Sequence, residues 1–578
     1  MPAYESLECA QGSFFMIVGI DLGTTHSLIG AFVDGQPRLF PNALGSLLTP
    51  SAVSMDDDGD LIVGAAARDR LVTHPSRSVA TFKRWMGSAR DTRLGQRSFR
   101  PEELSALLLR SLLADAQAAL GTTIDEAVIS VPAYFSDAQR RATRAAGELA
   151  GIKVERLINE PTAAALAYGL QERREGSRFL VFDLGGGTFD VSILELFDGV
   201  VEVHASAGDN YLGGEDFLDV LADACCADLG IRRADLPATE LGQLRHRLEA
   251  VKRELSGAAR VRLEVRAGGK EATWEIDEER FARLAEPLVQ RMRAPLERAM
   301  RDARLQPTQL DEIVLVGGAS RMPAIARLVS RMFGRLPLRH VNPDEAIALG
   351  AAVAAGLKAR DAKLDEIILT DVCPYTLGTE VSRSDDEGGH QAGFFHPIIQ
   401  RNSTVPVSRE DTFYPINDNQ KRLSIDVYQG ESPLVARNVK LGELMVELAP
   451  NVSKGDNGVK VRFTYDVNGV LQVEATVLAN GQTHELLLEQ NPGVLGADEI
   501  RTRLAALAEL KIHPREKQEN IAVLARAERL YEERLRERPL LQEWIAQFQA
   551  VLGGQDEHRI REHRQQLEEA LRRLEAGA

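Results

Sequence analysis

Short β-branched and apolar runs alternate with long stretches of helical periodicity from Met16 to about Arg360; Ala127–Val131 and Ile313–Val316 are two such runs. The alternation predicts an α/β architecture. The segment Ala362–Asp371 then passes from polar to apolar and ends on an acid. From Cys373 to about Glu489 apolar and polar residues alternate with period two, as in Leu423–Val427, Val459–Tyr465 and Leu471–Val477. Asn468-Gly469 and Asn480-Gly481 fall between such runs and predict two-residue hairpins in an antiparallel β domain. From Ala497 onward Glu, Arg, Leu and Ala dominate. Apolar residues recur at helical spacing in Leu524, Ala527, Tyr531 and Leu535 and again in Leu541, Trp544, Ile545 and Phe548, predicting a helical tail.

At 578 residues the chain exceeds what one core supports, and three or four domains are expected. A net charge of −16 argues against a nucleic-acid partner, since phosphate backbones are held by clustered Lys and Arg. Cys9, Cys225, Cys226 and Cys373 lack metal-ligand spacing, and the adjacent pair is expected in or beside a core of a protein from a reducing, cytoplasmic setting. No run reaches the length of a membrane span. Residues 1–15 carry no basic or long apolar segment of a signal peptide and read as a disordered extension, with Met16 as an alternative start.

A phosphate-binding turn occurs twice. Ile17–Asp21 leads into Leu22-Gly23-Thr24-Thr25, and Leu180–Asp183 leads into Leu184-Gly185-Gly186-Gly187-Thr188. Each is a strand, a tight turn and a return strand. Glycines let backbone N–H groups converge on an anion, and an Asp at the strand end suits a hydrated divalent cation. The repetition predicts two similar subdomains facing one nucleotide.

Other segments would complete that site if the fold gathers them. Gly317-Gly318 follows a strand and leaves room for a base or ribose, over which Arg321 could stack. Glu249, Lys252, Arg253 and Ser256 share one face of a helix; taken alone, the quartet reads first as a solvated charged face. Gly213-Gly214-Glu215-Asp216 reads equally as a helix start, and Asn159-Glu160-Pro161-Thr162 as a capped turn before a helix Ala163–Gly169. No Walker A motif is present, because Gly269-Lys270 is followed by Glu271.

These motifs resemble, in order and spacing, those of the seventy-kilodalton heat-shock chaperones of the DnaK type: Gly19–Thr25, Val131–Phe135, Ile158–Ala164, Phe182–Asp190, Leu212–Phe217 and Val316–Gly318. The variant features look most like the HscC branch. The resemblance implies an actin-like α/β ATPase domain of two similar subdomains (16–365), a linker (366–372), an antiparallel peptide-binding β sandwich (373–490) and an α-helical lid (491–578). It implies ATP/ADP and Mg2+ as cofactors, and admits K+. Asp21 and Asp183 would organise the metal, Lys83 and Glu160 the attacking water, and Thr188 the γ-phosphate. Gly23, Thr24, Thr25, Gly185, Gly186 and Gly187 would surround the phosphates, and Gly214, Glu249, Lys252, Arg253, Ser256, Gly317, Gly318, Arg321 and Asp344 the rest of the nucleotide. Pro132, Arg140 and Asp371 match switch and linker positions; Phe413, Leu423 and Ile425 match the peptide pocket.

Departures from the family pattern are specific. The linker reads Ile367-Ile-Leu-Thr-Asp371, with Thr370 where an apolar anchor is usual. Thr379 replaces a usual isoleucine, Ser382 and Ile416 stand at the arch positions, and Arg383–Gln391 carries an acidic insertion. Ser256–Phe281 is short and reads as a small hairpin around Gly268-Gly269, where an exchange factor would dock, so such a factor is expected to be dispensable. The implied partners are extended peptides and a J-domain protein, with the chaperone a monomer. A sugar or acetate kinase of the same superfamily and an actin-like filament protein are the rivals; the β domain after a short acidic linker argues against the first, and the second would not need the C-terminal 200 residues.

Overall fold

The computed structural model describes residues 16–169, 174–197, 200–338, 341–361, 364, 368–384, 389–486, 500, 502, 503, 507, 515–553 and 557–576. The proposed extension 1–15 and the acidic triplet 385–387 lie outside them.

Lobe I comprises β1 (Ile17–Asp21), β2 (His26–Val33), β3 (Gln36–Leu39), β4 (Thr49–Pro50), β5 (Ala52–Met55), β6 (Leu61–Val63), α1 (Ala65–Thr73), β7 (Ser78–Ala80), β8 (Thr92–Leu94), β9 (Arg97–Phe99), α2 (Pro101–Leu120), β10 (Glu126–Val131), α3 (Asp137–Ala150), β11 (Lys153–Asn159) and α4 (Glu160–Ala167). Lobe II comprises β12 (Arg178–Leu184), β13 (Phe189–Phe197), β14 (Val200–Asp209), α5 (Gly214–Asp228), α6 (Ala238–Glu254), β15 (Arg260–Ala267), β16 (Lys270–Asp277), α7 (Glu278–Asp302), β17 (Glu312–Val316) and α8 (Pro323–Phe333), after which α9 (Ala346–Lys358) packs back on β1, β2, β3 and β10 of lobe I.

The repeated turn reflects a repeated sheet. In lobe I the order is β11-β10-β1-β2-β3, with β1 parallel to β10 and antiparallel to β2. In lobe II β12 likewise lies between parallel β17 and antiparallel β13, which pairs with β14. Both central strands are buried on both faces and accordingly read as continuous apolar runs. Between the sheets, alanine-rich α4 and α9 pack together with Val128, Ile158, Val181 and Val314. Small side chains let the two helices approach closely, bringing the strand ends that carry Asp21 and Asp183 toward one cleft. The predicted capped turn at Asn159–Thr162 is the start of α4 itself, which begins at Glu160 with Pro161 in its first turn, where a missing N–H costs nothing.

The β sandwich follows: β18 (Ile368–Val372), β19 (Leu377–Ser384), β20 (His390–Ile399), β21 (Thr404–Val405), β22 (Val407–Phe413), β23 (Arg422–Gln429), β24 (Val439–Glu447), β25 (Val459–Tyr465), β26 (Leu471–Val477) and β27 (Thr483–Leu486). Sheets β20-β19-β23-β24 and β22-β25-β26-β27 enclose a core that includes Leu377, Val427, Val461, Phe463 and Val473. The tail forms α10 (Arg515–Glu533), α11 (Arg538–Gly553) and α12 (Glu557–Glu575), joined through Ala527, Leu530, Leu541, Phe548, Leu567 and Leu571. Leu535, predicted on that apolar stripe, lies beyond the end of α10 and instead lines a small cavity against α6.

β18 is not a free tether. It pairs in parallel with β14 (Val200↔Ile368, Val201↔Leu369, Glu202↔Thr370) and antiparallel with β21 (Asp371↔Val405, Val372↔Thr404), so one sheet runs from lobe II into the sandwich. The predicted hairpin around Gly268-Gly269 is present as β15–β16. The two Asn-Gly turns are longer than the predicted two residues: Asp466–Val470 separate β25 from β26, and the second turn closes by Gly481 N–H donating to the Val477 carbonyl. In the first, the Asp466 carboxylate accepts from the N–H groups of Asn468 and Val470, a side-chain-closed turn that takes more residues.

Candidate active site and its link to the sandwich

A cleft of about 350 Å³ opens between the lobes. Its wall includes Asp21, Gly23, Thr24, Thr25, Lys83, Glu160, Asp183, Gly185, Gly186, Thr188, Gly214, Glu249, Lys252, Arg253, Ser256, Gly317, Gly318, Arg321 and Asp344. Of the residues assigned to the cleft from sequence, Gly187 alone stays off that wall: a side chain there would meet Arg84 and Thr24 rather than open space.

The two phosphate turns face each other at the cleft floor. A Cβ on Gly186 would lie 2.3 Å from Thr25 Cγ2, so the hairpins can approach only because that position has no side chain. Gly185 N–H closes its turn on the Thr188 carbonyl at 3.1 Å, and the first turns of α5 hang on the same loop through Gly214 N–H to Gly185 O, 2.9 Å. In the first turn Gly23 N–H donates to Ser27 Oγ at 3.0 Å.

Beside the turns lie two buried acids, Asp21 and Asp183, and an ion pair in which Lys83 Nζ donates to Glu160 Oε1 at 2.8 Å. Lys83 rises from a short helical turn, Phe82–Trp85, and Glu160 is the first residue of α4. Burial, then the Glu160 charge, pushes the Asp21 carboxyl up to about 7, and the same causes with Asp190 raise Asp183 well above its ordinary value. The Oδ2 atoms of Asp183 and Asp190 have no hydrogen-bond partner. Four carboxylates around one lysine leave an excess of negative charge that a divalent cation would neutralise. Among the described residues no group of three His, Cys, Asp or Glu side chains converges as a metal cage.

The rest of the cleft wall is lined by charged side chains of α6 and of the loop after β17. On α6, Glu249 binds Lys252 at 2.6 Å and Arg253 at 2.9 Å, while Lys252 Nζ also donates to the Gly214 carbonyl. The quartet read first as a solvated face is therefore a cleft wall. The Arg321 guanidinium is fixed by Asp344 at 2.6 Å and by Asn342 Oδ1 at 2.5 Å. Asn342, His26 and Ile347 belong to this site or its support and were not legible from sequence. Burial holds His26 neutral, its pKa lowered to about 4.

The docking surface forms a second constellation. Arg140, buried on α3, donates to the carbonyls of Ala133 (3.1 Å), Phe135 (3.3 Å) and Asn468 (3.4 Å) and to Asn159 Oδ1 (2.8 Å). The β25–β26 hairpin is gripped further by Leu471 N–H on Asp137 Oδ1, 3.0 Å, by Arg141 on the Leu471 carbonyl, 2.8 Å, and by Leu157 N–H on Asn468 Oδ1, 3.1 Å. Arg401 forms a two-pronged pair with Asp302, both bonds 2.9 Å. Pro132 opens a turn closed by Phe135 N–H, and within it Tyr134 N–H donates to Asp190 Oδ1 at 2.9 Å. Asp371 accepts from Thr162 Oγ1 at 3.1 Å, and Thr162 is two residues from Glu160 on α4. The predicted peptide-site residues Phe413 and Leu423 are half-buried against the sandwich core, whereas Ile425 is 2 % exposed within it. Thr379 is buried and its hydroxyl donates to the Asp426 carbonyl at 2.9 Å, while Ser382 is exposed.

A family model described as Hsp70 protein matches residues 17–577. The chain is 42% identical over 82% of its length to the chaperone protein DnaK of Thermotoga neapolitana, covering 80% of that protein. It is 40% identical over 96% of its length to the chaperone protein dnaK3 of Thermosynechococcus vestitus, covering 84% of it, and 40% identical over 89% to the DnaK of Thermotoga petrophila, covering 87%.

Proposed function

The chain belongs to the Hsp70 family of ATP-dependent chaperones, and from that premise we propose that hydrolysis at the Lys83–Glu160 pair is wired to peptide binding through the strand Ile368–Val372. The observation that carries this reading is the Thr162–Asp371 hydrogen bond, which ties the linker to the helix whose first residue is Glu160.

In this reading Lys83 and Glu160 position and polarise the attacking water, Thr188 and the amides of both turns hold the phosphates, and Glu249, Lys252, Arg253, Ser256 and Arg321 hold the base and sugar. Asp21 and Asp183 would hold Mg2+, which supplies charge neutralisation during phosphoryl transfer. The ATP-bound form is the docked one: β18 lies on β14, and the sandwich and tail lie on the lobes. Hydrolysis releases them, and the tail closes over an extended peptide held near Phe413 and Leu423. We assign the catalytic domain to 16–365, the linker to 366–372, the sandwich to 373–490 and the lid to 491–578, and place the protein in the HscC-like branch on its linker and short β15–β16 hairpin. It would work as a cytoplasmic monomer with a J-domain partner and without an obligatory exchange factor; among the described residues no helix is long and apolar enough to cross a membrane.

The test is reciprocal coupling in the purified chain. An unfolded peptide should raise ATP turnover, and ATP should release bound peptide. ATP-dependent phosphorylation of a sugar or acetate, with no response to peptide, would favour the kinase reading and overturn this one.

A further inference from the structure

The helical tail touches both lobes of the cleft, not one. On lobe I, Ile521, Ala522 and Ala525 of α10 pack against Ala52, Ile62 and the start of α1. Two helical turns further, Arg529, 8 % exposed, donates to Asp69 of α1 at 3.2 Å, to Glu533 at 2.8 Å and to Glu575 of α12 at 2.6 Å. Glu533 then faces lobe II. It lies 3.9 Å from His246 on α6, and the neighbouring Arg247 guanidinium attracts it. Burial keeps His246 neutral, its pKa lowered to about 3, and the positive charge facing Glu533 from lobe II is that of Arg247, which lines the same small cavity. Glu532 and Leu535 close a small cavity against α6 and β15.

Position gives this contact its meaning. α6 is the helix that carries Glu249, Lys252 and Arg253 on the cleft wall, within about two turns of His246 and Arg247. α1 and α6 also meet directly, where Gly242 lies against the Leu71 carbonyl. Widening the cleft by moving lobe II away from lobe I must draw α6 off α1 and off the tail together. The chain of alternating charges Asp69, Arg529, Glu533, Arg247 runs from one lobe to the other by way of α10, and three of the four are held from solvent in a setting where charge interactions are weakly screened.

We propose that the docked tail is a strap across the nucleotide cleft: while docked it holds both lobes closed and slows nucleotide release, and when it leaves it removes that restraint. This rests on reading the cleft as the nucleotide site. It supplies a built-in control of exchange: nucleotide is retained while the tail is docked and leaves readily afterwards, without an external factor to pry the lobes apart.

The experiment uses the full chain with Arg247→Ala, which severs the lobe II arm and leaves the Asp69–Arg529 pair and the apolar contact intact. Fluorescent ATP is loaded and chased with excess unlabelled ATP within a single turnover, and release is followed by stopped flow. Energy transfer between dyes on α12 and lobe I reports tail docking in the same samples. ATP release is expected to accelerate about five- to tenfold, the size of losing one partly buried charge contact, with ADP release unchanged. Asp69→Asn should accelerate ATP release and also weaken docking. A wild-type rate of ATP release in Arg247→Ala, or equal acceleration of ATP and ADP release, overturns the strap. Failure of the nucleotide-site reading would look different, as no ATP binding by the unmodified chain.

Discussion

Two Asn-Gly turns in the sandwich offer a matched pair of perturbations. Gly469 and Gly481 both adopt positive φ, 73° and 71°. An alanine at either position costs about 1–2 kcal/mol of backbone strain, and costs it whether or not the sandwich is docked. The surroundings differ. A Cβ on Gly481 meets nothing within 4 Å, whereas one on Gly469 falls 2.7, 2.8 and 2.9 Å from Cδ, Nε and Cζ of Arg140. Arg140 cannot swing aside without giving up Ala133, Phe135 and Asn159, so the hairpin must retreat. Retreat weakens the bonds of Asn468 and Leu471 to Arg140, Arg141, Leu157 and Asp137. Loss of one or two such bonds, some to charged groups, amounts to about 1.5–3 kcal/mol, roughly 10- to 150-fold against the docked form. Gly469→Ala and Gly481→Ala should therefore lower the melting temperature alike, yet only Gly469→Ala should lose ATP-triggered release of a fluorescent peptide. Equal release by the two variants would refute the docking role of this hairpin.

Further outcomes follow from the same geometry. Lys83→Ala and Glu160→Ala should each slow single-turnover hydrolysis on the order of 100-fold or more while ATP still binds, because both groups serve the transferred phosphate and its water rather than the base; near wild-type rates would contradict the assignment. Asp371→Ala, which removes the acceptor for Thr162, should keep basal turnover within a few-fold and abolish its stimulation by peptide. Thr370 Oγ1 is buried without a partner, so Thr370→Val should favour the docked, open form by about 1 kcal/mol and speed ATP-independent peptide exchange, while a slower exchange would argue against docking through this strand. The Glu102 carboxylate is 0 % exposed and lacks hydrogen-bond partners at both oxygens, and burial pushes its pKa up to about 7. A raised carboxyl favours the fold when protonated, so the wild type should lose stability relative to Glu102→Gln as pH rises from about 4.5 to 7, with the gap level above that range. A gap that does not change with pH in thermal melts would contradict this.

The sequence revealed most where one physical pattern dominates. β25 and β26 were read to the residue because strict period-two alternation leaves no second register. The cleft was legible because phosphate binding needs glycine and an acid at strand ends, and the duplicated turn pointed to two facing lobes. The docking contacts were not legible: Leu471 meets Asp137, and Asn468 meets Leu157, across more than 300 residues, and no local spacing encodes such pairs. Gly187 was placed on the cleft because it belongs to the turn, but its position serves the approach of Arg84 and Thr24. Likewise Leu535 fits the helical stripe by spacing, yet α10 ends before it and the residue turns to α6.

The continuous sheet formed by β14, β18 and β21 has a consequence for the chaperone's own solubility. When docked, β18 has a bonded neighbour on each side. Release from lobe II would expose the flank of β14 and one flank of β18 at once, creating two open sheet edges in a protein that spends its working life among unfolded chains. Open edges recruit other strands, and proteins blunt them with charges, short strands and proline. This chain does so where the cycle would require it: Thr370 and Asp371 put polar groups on the strand that would be freed, and β21 has two residues and is followed by Pro406, which has no N–H to offer. The polar linker position that departs from the family pattern thus also protects the resting chaperone from becoming a seed for the aggregates it would prevent.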